Sequence, residues 1–438
     1  MGKRSAAIKK MGLLMKFLFV TPLAESSSLA QKVQEEGHAV KFYIKTRKYR
    51  DVARGLVPHV RDWKKHKDWA DVIIFDDVDM AKDIEWLRAR DYPVVGGNKF
   101  GDKIENNRIF GQKIARETGL KIPKSWRFKS FSSAITFIKK RKGRYVIKFN
   151  GQLDRFLCYV SVMPDGSDLI KMIEYYDEKW PRKKKDYKID FILQEYIDGV
   201  EMAAGAFFNG TEFVYPVNIT FEHKRFLTGG IGPFTGEMGT SMYYSADGGK
   251  LFKETLLKIQ PYLARTNYRG FIDINSMVTE TGAYMLEFTA RFGYPQVDIQ
   301  QALHITPWGK LLYELAHGRL KKFKVRPGFA VGVIIGGAGM PFEISYNKYG
   351  KHLPIFGVND DNRAFVKLLE VYKKNDKLYC TGGGYPLVIN GYGKTMEQAQ
   401  KKAYEIVKQI VIPNSVYRID IGDHWQKEAP LLKKWGYL

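Results

Sequence analysis

Cysteine and long apolar stretches are what this chain most clearly lacks. Its 438 residues contain two cysteines, Cys158 and Cys380, which are too few for a disulfide framework and have no C-x-x-C spacing. No window holds about 18 consecutive apolar residues, and no small-residue cleavage site cleanly follows the apolar residues near the start. We therefore expect a cytoplasmic protein that has no membrane span and no cysteine-bound metal, with residues 1–14 as a basic leader.

Acidic side chains are also outnumbered. The chain has 47 Asp and Glu against 71 Lys and Arg, which gives a formal net charge of +24. Such an excess indicates a polyanionic partner, and a nucleic acid or a nucleotide is the obvious candidate. The basic residues concentrate, with aromatic residues between them, in four stretches: Lys45–Arg54, Arg61–Lys67, Lys139–Arg144 and Pro181–Lys188. The alternative is that each stretch is an ordinary solvated surface.

A glycine-rich turn is missing after the first predicted strand, which runs from Lys16 to Val20 and continues as TPLAESSSLA. Its absence argues against a dinucleotide-binding enzyme. Strand-like and helix-like segments nevertheless alternate through the first ninety-odd residues, which predicts a doubly wound parallel sheet. In such sheets, ligands bind beyond the carboxyl ends of the strands.

The middle of the chain has a different pattern. Asp-Gly and Asn-Gly turn signals divide FILQEYIDGVEMAAGAFFNGTEFVYPVNITFEH into consecutive strands, which predicts antiparallel pairing. Upstream, Lys148 lies in an apolar strand, where its ammonium group needs an anion such as a phosphate unless it points to water at a sheet edge. Glu195 and Glu201 flank a turn and, taken alone, are better explained as two solvated acids.

Asp273 and Glu287 lie on two apolar segments joined by a short turn. Adjacent antiparallel strands would bring the two carboxylates side by side, which is unfavourable unless a cation lies between them. With Asn275 as a further oxygen ligand, this set predicts Mg²⁺ (or Mn²⁺) bound together with substrate phosphates. Arg291 would bind the same phosphates through its planar guanidinium group. The alternative is a surface pair of carboxylates.

Five motifs occur in order between about Val94 and Gly422. They are VIKFNG, QEYIDGVE, EHKRFLTGGIGPFTGEMG, LEFTARFGYP, and a tail with VGVIIGGAGMP, TGGGYPLVINGYGKTMEQAQKKAYE and YRIDIG. Together they resemble the ATP-grasp ligases and, within them, the glycinamide ribonucleotide synthetase family. The resemblance implies an ATP-grasp fold of α/β and α+β class with three domains. These are a doubly wound N-terminal domain (1–97), an ATP-grasp domain (98–321) with a lid at about 124–197, and a small mixed C-terminal domain (322–438).

The resemblance also implies roles for individual residues. ATP would be bound by Arg108, Lys148, the main chain of Gln194, Glu195, Tyr196 and Ile197, and by Glu201 at the ribose. The magnesium ligands would include Asp273 and Glu287. Catalysis would depend on Arg291, Lys148, Lys224 and Arg225, and the substrates would lie near His223, Thr235, Gly236, Tyr294 and Gln296.

Several positions depart from the family pattern. TPLAESSS replaces a glycine-rich loop that contains Arg-Glu-His, and RFGYPQ replaces RFGDPE. We therefore expect small-molecule carboxylate and amine substrates, an acyl-phosphate intermediate, ADP as a product, and a monomer or homodimer. The hypothesis is a ligase that joins an amino acid to an amine on a nucleotide or on a modified nucleic-acid base. The alternatives are a phosphoribosylamine–glycine ligase of purine biosynthesis and a non-catalytic nucleic-acid-binding ATP-grasp paralogue.

Overall fold

The computed structural model describes residues 14–150, 157–180, 188–341 and 350–438. Nearly all of the basic leader, the lid sequence at 151–156 and most of the basic stretch Pro181–Lys188 therefore lie outside the described residues. Within the described ranges, no helix has both the length and the apolar composition needed to cross a membrane. The elements form a mixed α/β architecture, as the sequence predicts.

The N-terminal sheet has four parallel strands in the order β2-β1-β3-β4. The strands are β1 (Lys16–Thr21), β2 (Ala39–Ile44), β3 (Val72–Phe75) and β4 (Val94–Val95). The connections contain α1 (Ser27–Glu35), α2 (Ala81–Arg88) and 3₁₀ helices at Arg47–Tyr49 and Trp63–His66. Because a parallel sheet is covered on both faces, β1 and β3 are apolar without alternation. The predicted parallel sheet is confirmed.

A separate four-stranded sheet, in the order β5-β8-β6-β7, lies within the predicted lid. Its strands are β5 (Ser125–Phe128), β6 (Tyr145–Phe149), β7 (Tyr159–Val160) and β8 (Phe191–Glu195). Helices α5 (Phe131–Lys140) and α6 (Ser167–Lys179) accompany it. Phe149 packs against Phe131, Trp180 and Phe191, with ring centroids 5.2 to 6.3 Å apart. These aromatic contacts give the lid a core of its own.

The largest sheet has eight strands in the order β15-β14-β9-β10-β13-β16-β21-β18. Their bounds are β9 (Val200–Asn209), β10 (Phe213–Glu222), β13 (Gly239–Ser245), β14 (Arg269–Thr279), β15 (Gly282–Thr289), β16 (Phe329–Ile335), β18 (Val366–Leu368) and β21 (Leu387–Gly393). The predicted β9–β10 hairpin is present. Because β13 pairs with β16, the sheet continues across the predicted boundary at residues 321/322.

The remaining described elements surround these sheets. The short strands are β11 (Arg225–Leu227), β12 (Ile231–Phe234), β17 (Lys351–Ile355), β19 (Val371–Lys374) and β20 (Lys377–Thr381). The helices are α3 (Lys99–Asn106), α4 (Arg108–Glu117), α7 (Gly249–Glu254), α8 (Leu256–Arg265), α9 (Gln296–Gln300), α10 (Trp308–Ala316), α11 (Met396–Val407) and α12 (His424–Lys434).

The Arg88 side chain joins the N-terminal sheet to the eight-stranded sheet. Its guanidinium group donates to the carbonyl oxygens of Gly96 (2.8 Å) and Gly97 (3.0 Å), which follow β4. It also donates to the carbonyl oxygen of Arg269 (3.0 Å), the first residue of β14. Because one planar group is shared between the ends of two strands, β4 and β14 are held in a fixed relation.

Candidate active site

A single ammonium group lies among three carboxylates at the centre of the candidate active site. Lys224 Nζ is 3.0 Å from Glu201 Oε1, 3.0 Å from Glu287 Oε1 and 3.3 Å from Glu222 Oε2. The acids come from β9, β15 and the end of β10. Although burial lowers the pKa of Lys224, the three carboxylates raise it well above its ordinary value. Lys224 is therefore charged and neutralises part of this acidic cluster.

Asn275 on β14 completes the cluster. Its Nδ2 donates to Glu201 Oε1 and to Glu222 Oε2, both at 3.0 Å, while its Oδ1 is buried without a hydrogen-bond partner. In the β14–β15 register, Asn275 lies opposite Glu287, and Asp273 lies opposite Thr289. The expectation that Asp273 and Glu287 lie side by side is therefore wrong. They are diagonal neighbours, and Asn275 is the residue directly opposite Glu287.

Three cations act together on Glu287. Its pKa is lowered to about 2, chiefly by Lys224 and further by Lys148 and Arg108, against the opposing effect of burial. Lys148 is on β6 of the lid, Arg108 begins α4, and Lys224 follows β10. Positive charge from three parts of the fold therefore lowers the pKa of one carboxylate, and cations of this kind can also bind phosphate groups.

Two further acids in this region are buried. Asp273 is 3% exposed, and burial followed by the nearby Glu222 raises its pKa well above the ordinary value. Glu237 is 6% exposed, its Oε1 has no hydrogen-bond partner, and the same two causes raise its pKa strongly. The sequence analysis did not select Glu237 or Glu222. The sequence feature that could have indicated Glu237 is its position as an acidic residue inside the glycine-rich stretch TGEMG.

Arg291 takes part in a second charge cluster. Its Nε is 3.0 Å from Glu105 Oε1 and 3.2 Å from Asp77 Oδ1, and its Nη1 is 4.0 Å from Glu25 Oε2. Burial lowers its pKa, but the three acids raise it well above the ordinary value. These acids follow β1 and β3 or lie on α3, and the sequence analysis selected none of them. The contact of Arg291 with phosphates remains a prediction, because the structure pairs it with carboxylates.

Comparisons with known proteins agree with this fold. Residues 106–297 match the family model of the phosphoribosylglycinamide synthetase ATP-grasp (A) domain. The phosphoribosylamine–glycine ligase of Listeria monocytogenes is 25% identical over 372 residues, which cover 82% of this chain and 86% of that protein. Residues 106–297 therefore form an ATP-grasp domain, and the chain is similar to ATP-grasp ligases over most of its length.

Solved structures show the same ATP-grasp architecture. The phosphoribosylamine–glycine ligase of Thermotoga maritima superposes with a TM-score of 0.69 at 23% identity, over 93% of this chain and all of that one. The biotin carboxylase domain of Hydrogenobacter thermophilus 2-oxoglutarate carboxylase, solved with MgADP, ADP and bicarbonate, gives a TM-score of 0.64 at 11% identity. That match covers 96% of this chain and 98% of the other. At these identities, the structural similarity establishes the fold.

The ATP-grasp site has the chemistry that magnesium requires. Among the described residues, no three His, Cys, Asp or Glu side chains are arranged as a complete metal site. Glu287, Asn275 and Asp273 nevertheless offer oxygen atoms; Glu287 Oε1 is paired with Lys224 at 3.0 Å, whereas the buried Asn275 Oδ1 has no hydrogen-bond partner and could take a cation. Magnesium is commonly held by one or two carboxylates together with substrate phosphates. Glu287, Asn275 and Asp273 fit this pattern, and their role as ligands remains a prediction.

The predicted adenine-binding segment lies where β8 leaves the lid. Gln194 is 4% exposed. The N–H groups of Glu195 and Tyr196 donate to the carbonyl oxygens of Lys124 (2.8 Å) and Arg144 (3.1 Å). These two donors are therefore already used within the fold, which leaves the main chain of Ile197 and the carbonyl groups as the candidates for adenine. Glu201, predicted at the ribose, belongs to the Lys224 cluster.

Thr235 and Gly236 lie close to Lys224. Thr235 Oγ1 and N both donate to the Lys224 carbonyl oxygen, at 2.9 and 2.8 Å, and the N–H of Gly236 donates to the hydroxyl group of Tyr385 (3.2 Å). Arg225 instead packs on Phe234, with 3.7 Å from Cζ to the ring centroid. The loop thus positions Lys224, while Arg225 is used within the β11–β12 hairpin.

His223 and Gln296 do not face the Lys224 cluster. The His223 ring is 4.7 Å from that of His424 on α12, and burial lowers its pKa to about 3. The Gln296 Nε2 donates to Asn218 Oδ1 at 3.0 Å inside the core, so its predicted substrate contact is replaced by a buried amide network. Tyr294 differs, because its buried hydroxyl group has no hydrogen-bond partner.

Proposed function

We propose that this ATP-grasp ligase forms ADP while it joins the carboxylate of an amino acid to an amine on a nucleotide or a modified nucleic-acid base. The main support is the convergence of Lys148, Arg108 and Lys224 on Glu287. A cluster of oxygen ligands ringed by cations is suited to a nucleoside triphosphate and its divalent ion.

ATP would lie between the lid and the eight-stranded sheet. The main chain near Ile197 would contact the adenine, and Lys148 and Arg108 would contact the phosphates. Glu287, Asn275 and Asp273 would hold magnesium, which, when bound, neutralises phosphate charge. These positions rest on the family resemblance and on the placement of the side chains around Glu287.

The first chemical step would be in-line attack of the substrate carboxylate on the γ-phosphate, which gives an acyl phosphate and ADP. Lys148 and Arg108 would stabilise the charge that spreads over the phosphoryl oxygens. Lys224 would act both before and after the nucleotide binds. It neutralises Glu201, Glu222 and Glu287 before the nucleotide binds, and its Nζ can then turn from these acids to a phosphate oxygen.

The second step would be attack of the neutral amine on the acyl carbon, with release of phosphate. Holding both reactants in one site supplies much of the rate advantage. The glycine-rich stretch from Gly229 to Gly239 carries Thr235 and Gly236 beside Lys224, and it would exclude water from the acyl phosphate. Ligation would then prevail over hydrolysis.

The basic excess and the altered substrate motifs support a nucleotide or nucleic-acid acceptor. The basic stretch Lys45–Arg54 directly follows β2, and Arg61–Lys67 lies later in the connection between β2 and β3. Polyanion binding through such lysines and arginines weakens steeply with salt, because counterions are released. Salt-independent activity on a small free amine would argue against this acceptor.

The deciding experiment is release of ADP and phosphate with Mg²⁺ across a matrix of amino acids and amines, which includes aminated nucleosides and DNA. The proposal predicts turnover that requires one carboxylate–amine pair and that disappears in Glu287→Gln. The matched control is Glu280→Gln, which changes an exposed acid in the turn between β14 and β15. Absence of ATP turnover with every pair would contradict the ligase proposal.

A phosphoribosylamine–glycine ligase is the second candidate, because curated relatives with that name match over 82% of the chain. It is not favoured, since TPLAESSS and RFGYPQ stand where the family has its substrate motifs. Complementation of a strain that lacks this step tests it directly. A non-catalytic paralogue is also not favoured, because the chain keeps Lys148 and Glu287, which the family resemblance assigns to the phosphates and to magnesium.

A further inference from the structure

Two basic segments that are far apart in the chain form one surface. In the stretch Lys45–Arg54, the Ala53 N–H donates to the carbonyl oxygen of Val371 on β19 at 2.7 Å. The N–H of Lys373 donates in turn to the Arg54 carbonyl oxygen at 2.8 Å. Main-chain hydrogen bonds therefore fix this stretch beside the β19–β20 hairpin. We call the cationic side chains of Lys45–Arg54 and of the hairpin residues Lys373–Lys377 the basic face.

The basic face carries more positive charge than its own acids neutralise. Asp51 Oδ1 pairs with Arg54 Nη1 at 2.9 Å, and Asp376 Oδ1 pairs with Lys373 Nζ at 2.9 Å. The remaining cations of the face are all exposed, and they form no ion pair with any residue that the structure describes: Lys45, Arg47, Lys48, Arg50, Lys374 and Lys377. A concentration of unpaired cations attracts a partner that carries several negative charges.

The tip of the β19–β20 hairpin places two like charges opposite each other. Lys374 and Lys377 are register partners on either side of the turn. Asn375 and Asp376 form this turn with φ angles of +49° and +58°, which Asn and Asp adopt more readily than other residues with a side chain. Two lysines directly opposite on antiparallel strands repel each other. An anion bound by both ammonium groups would remove this repulsion.

The tyrosine rings of this surface mainly contact one another and the basic side chains. Tyr372 is 5% exposed, and its ring stacks on that of Tyr379 with the centroids 5.3 Å apart. Arg54 Cζ is 4.9 Å from the Tyr372 centroid. Tyr49 is also buried. Stacking on bases needs accessible rings, whereas lysine and arginine contact phosphates without reading the sequence. Phosphate contacts are therefore the main interaction that the basic face offers.

The neighbouring basic stretch Arg61–Lys67 is less suited to the same partner. Its Lys64 pairs with Asp83 at 3.8 Å, and its Lys67 pairs with Asp68. Part of its positive charge is therefore neutralised within the fold. For this reason, we do not include it in the basic face.

We propose that the basic face binds the phosphate backbone of a nucleic acid independently of its base sequence. Lys45 also lines a cleft of about 540 Å³, together with Asp79 and Met80, which follow β3. A nucleic acid on the basic face would therefore lie next to the sheet edge where ligands bind. The inference rests on the proposed function only for the role of this nucleic acid as an acceptor, because the binding itself needs neither ATP nor ligation.

The test is fluorescence anisotropy of the full chain without ATP, using a labelled DNA duplex of about 20 base pairs between about 50 and 200 mM NaCl. The comparison ligands are a DNA duplex of unrelated sequence and an RNA duplex of the first sequence. We expect the two DNA duplexes to bind within about twofold of each other, because phosphate contacts do not read bases. Binding should weaken steeply with salt, because counterions are released. The tighter of the DNA and RNA duplexes identifies the preferred partner.

Two double substitutions test the two halves of the basic face. Lys48→Gln with Arg50→Gln removes two charges from the first half, and Lys374→Gln with Lys377→Gln removes two from the hairpin. Each pair should weaken DNA binding roughly tenfold at the lowest salt and reduce the slope of log affinity against log salt by about two. A loss in only one of the two halves would contradict a shared surface.

The charge-matched control is Lys139→Gln with Lys140→Gln, which changes two exposed lysines at the end of α5. It should change DNA affinity by less than about twofold. An equal loss in this control would show that net charge alone attracts the DNA, and it would overturn the assignment. Absence of binding to both DNA and RNA would also overturn it, as would binding only to vesicles of equimolar phosphatidylserine and phosphatidylcholine. Because the titration needs no ATP, failure of the ligase assay and failure of this assignment give separate results.

Discussion

Lys224 Nζ and Glu287 Oε1 are 3.0 Å apart, and this pair links the glycine-rich loop to the strand that carries the predicted metal ligand. The same ammonium group also pairs with Glu201 and Glu222. The active site therefore contains its own counter-ion before any nucleotide binds. If Glu287 binds a divalent cation with ATP, as predicted, that binding has to displace or redirect Lys224.

Lys224→Met should destabilise the fold by about 3 kcal/mol at pH 7, because it leaves several partly buried carboxylates without a cation. Glu201 and Glu222 should contribute most, since Glu287 is 46% exposed and water screens part of its attraction. The pKa of Glu287 in the folded protein is below its ordinary value, so its stabilising contribution is present above about pH 4.5. That contribution is lost as pH falls toward 2.

Urea denaturation at pH 7 and pH 3 measures this effect, and the cost of Lys224→Met should be smaller at pH 3. Lys253→Met is the control, because its pair with Asp247 at 3.2 Å is exposed and should contribute less than about 1 kcal/mol. Equal costs for the two substitutions would show that the Lys224 cluster is not a stabilising unit.

Lys148→Met should lower kcat for ADP release by roughly 100-fold or more, because Lys148 would stabilise charge on the transferred phosphoryl group. Single-turnover ADP release at saturating ATP is the appropriate measurement. Lys142→Met, an exposed lysine just before β6, is the matched control. A change confined to KM would mean that Lys148 binds the ground state and the transition state equally.

Arg291→Met should destabilise the protein by about 3–5 kcal/mol, because Glu105, Asp77 and Glu25 would share no cation. Arg291→Lys should recover part of this loss, as a single ammonium group cannot reproduce the planar fork. The urea midpoint reports both values. Arg319→Met, which removes the more exposed pair with Glu314, should cost less than about 1 kcal/mol. A loss of similar size there would contradict the assignment.

Glu237→Gln should make the protein more stable at alkaline pH. The pKa of Glu237 in the folded protein lies well above its ordinary value, so the folded state holds a proton that the unfolded state releases. Stability then falls as pH rises above about 4.5, and Gln removes this dependence. Urea midpoints at pH 5 and pH 8 test it. Identical slopes for the two proteins would show that Glu237 is not buried as a neutral acid.

Local sequence patterns were sufficient to predict the β-sheets but not to predict which charged residues cluster together. The alternation of strands and helices predicted the parallel sheet, and Asn-Gly predicted the β9–β10 turn, because both signals act over short distances. The register of β14 and β15 shifts between Asn275 and Ser276, and no sequence pattern at these residues predicts the shift. Continuing the register from the turn would pair Glu287 with Ile274; the irregularity instead places Glu287 opposite Asn275, which makes it a diagonal neighbour of Asp273.

The clusters around Lys224 and Arg291 join residues that are far apart in the chain. Glu25 and Arg291 are brought together only when the N-terminal sheet packs beside β15, so no local spacing indicates the pair. Conversely, Gln296 was predicted to bind substrate, but its side chain is hydrogen-bonded to Asn218 in the core. Motif resemblance predicts the ATP-site residues, whereas the two charge clusters became visible only in the three-dimensional packing.

The continuous hydrogen bonding between β13 and β16 also determines which parts of the protein can move relative to each other. A strand ladder resists hinge bending, so the predicted C-terminal domain cannot rotate away from the ATP-grasp sheet without breaking main-chain bonds. The four-stranded lid sheet is not joined to the eight-stranded sheet by any strand pairing among the described residues. We therefore expect the lid to be the part that moves when the cleft opens and closes. A chain that ends at residue 321 would lack β16 and leave β13 as an unpaired edge strand, which is prone to self-association.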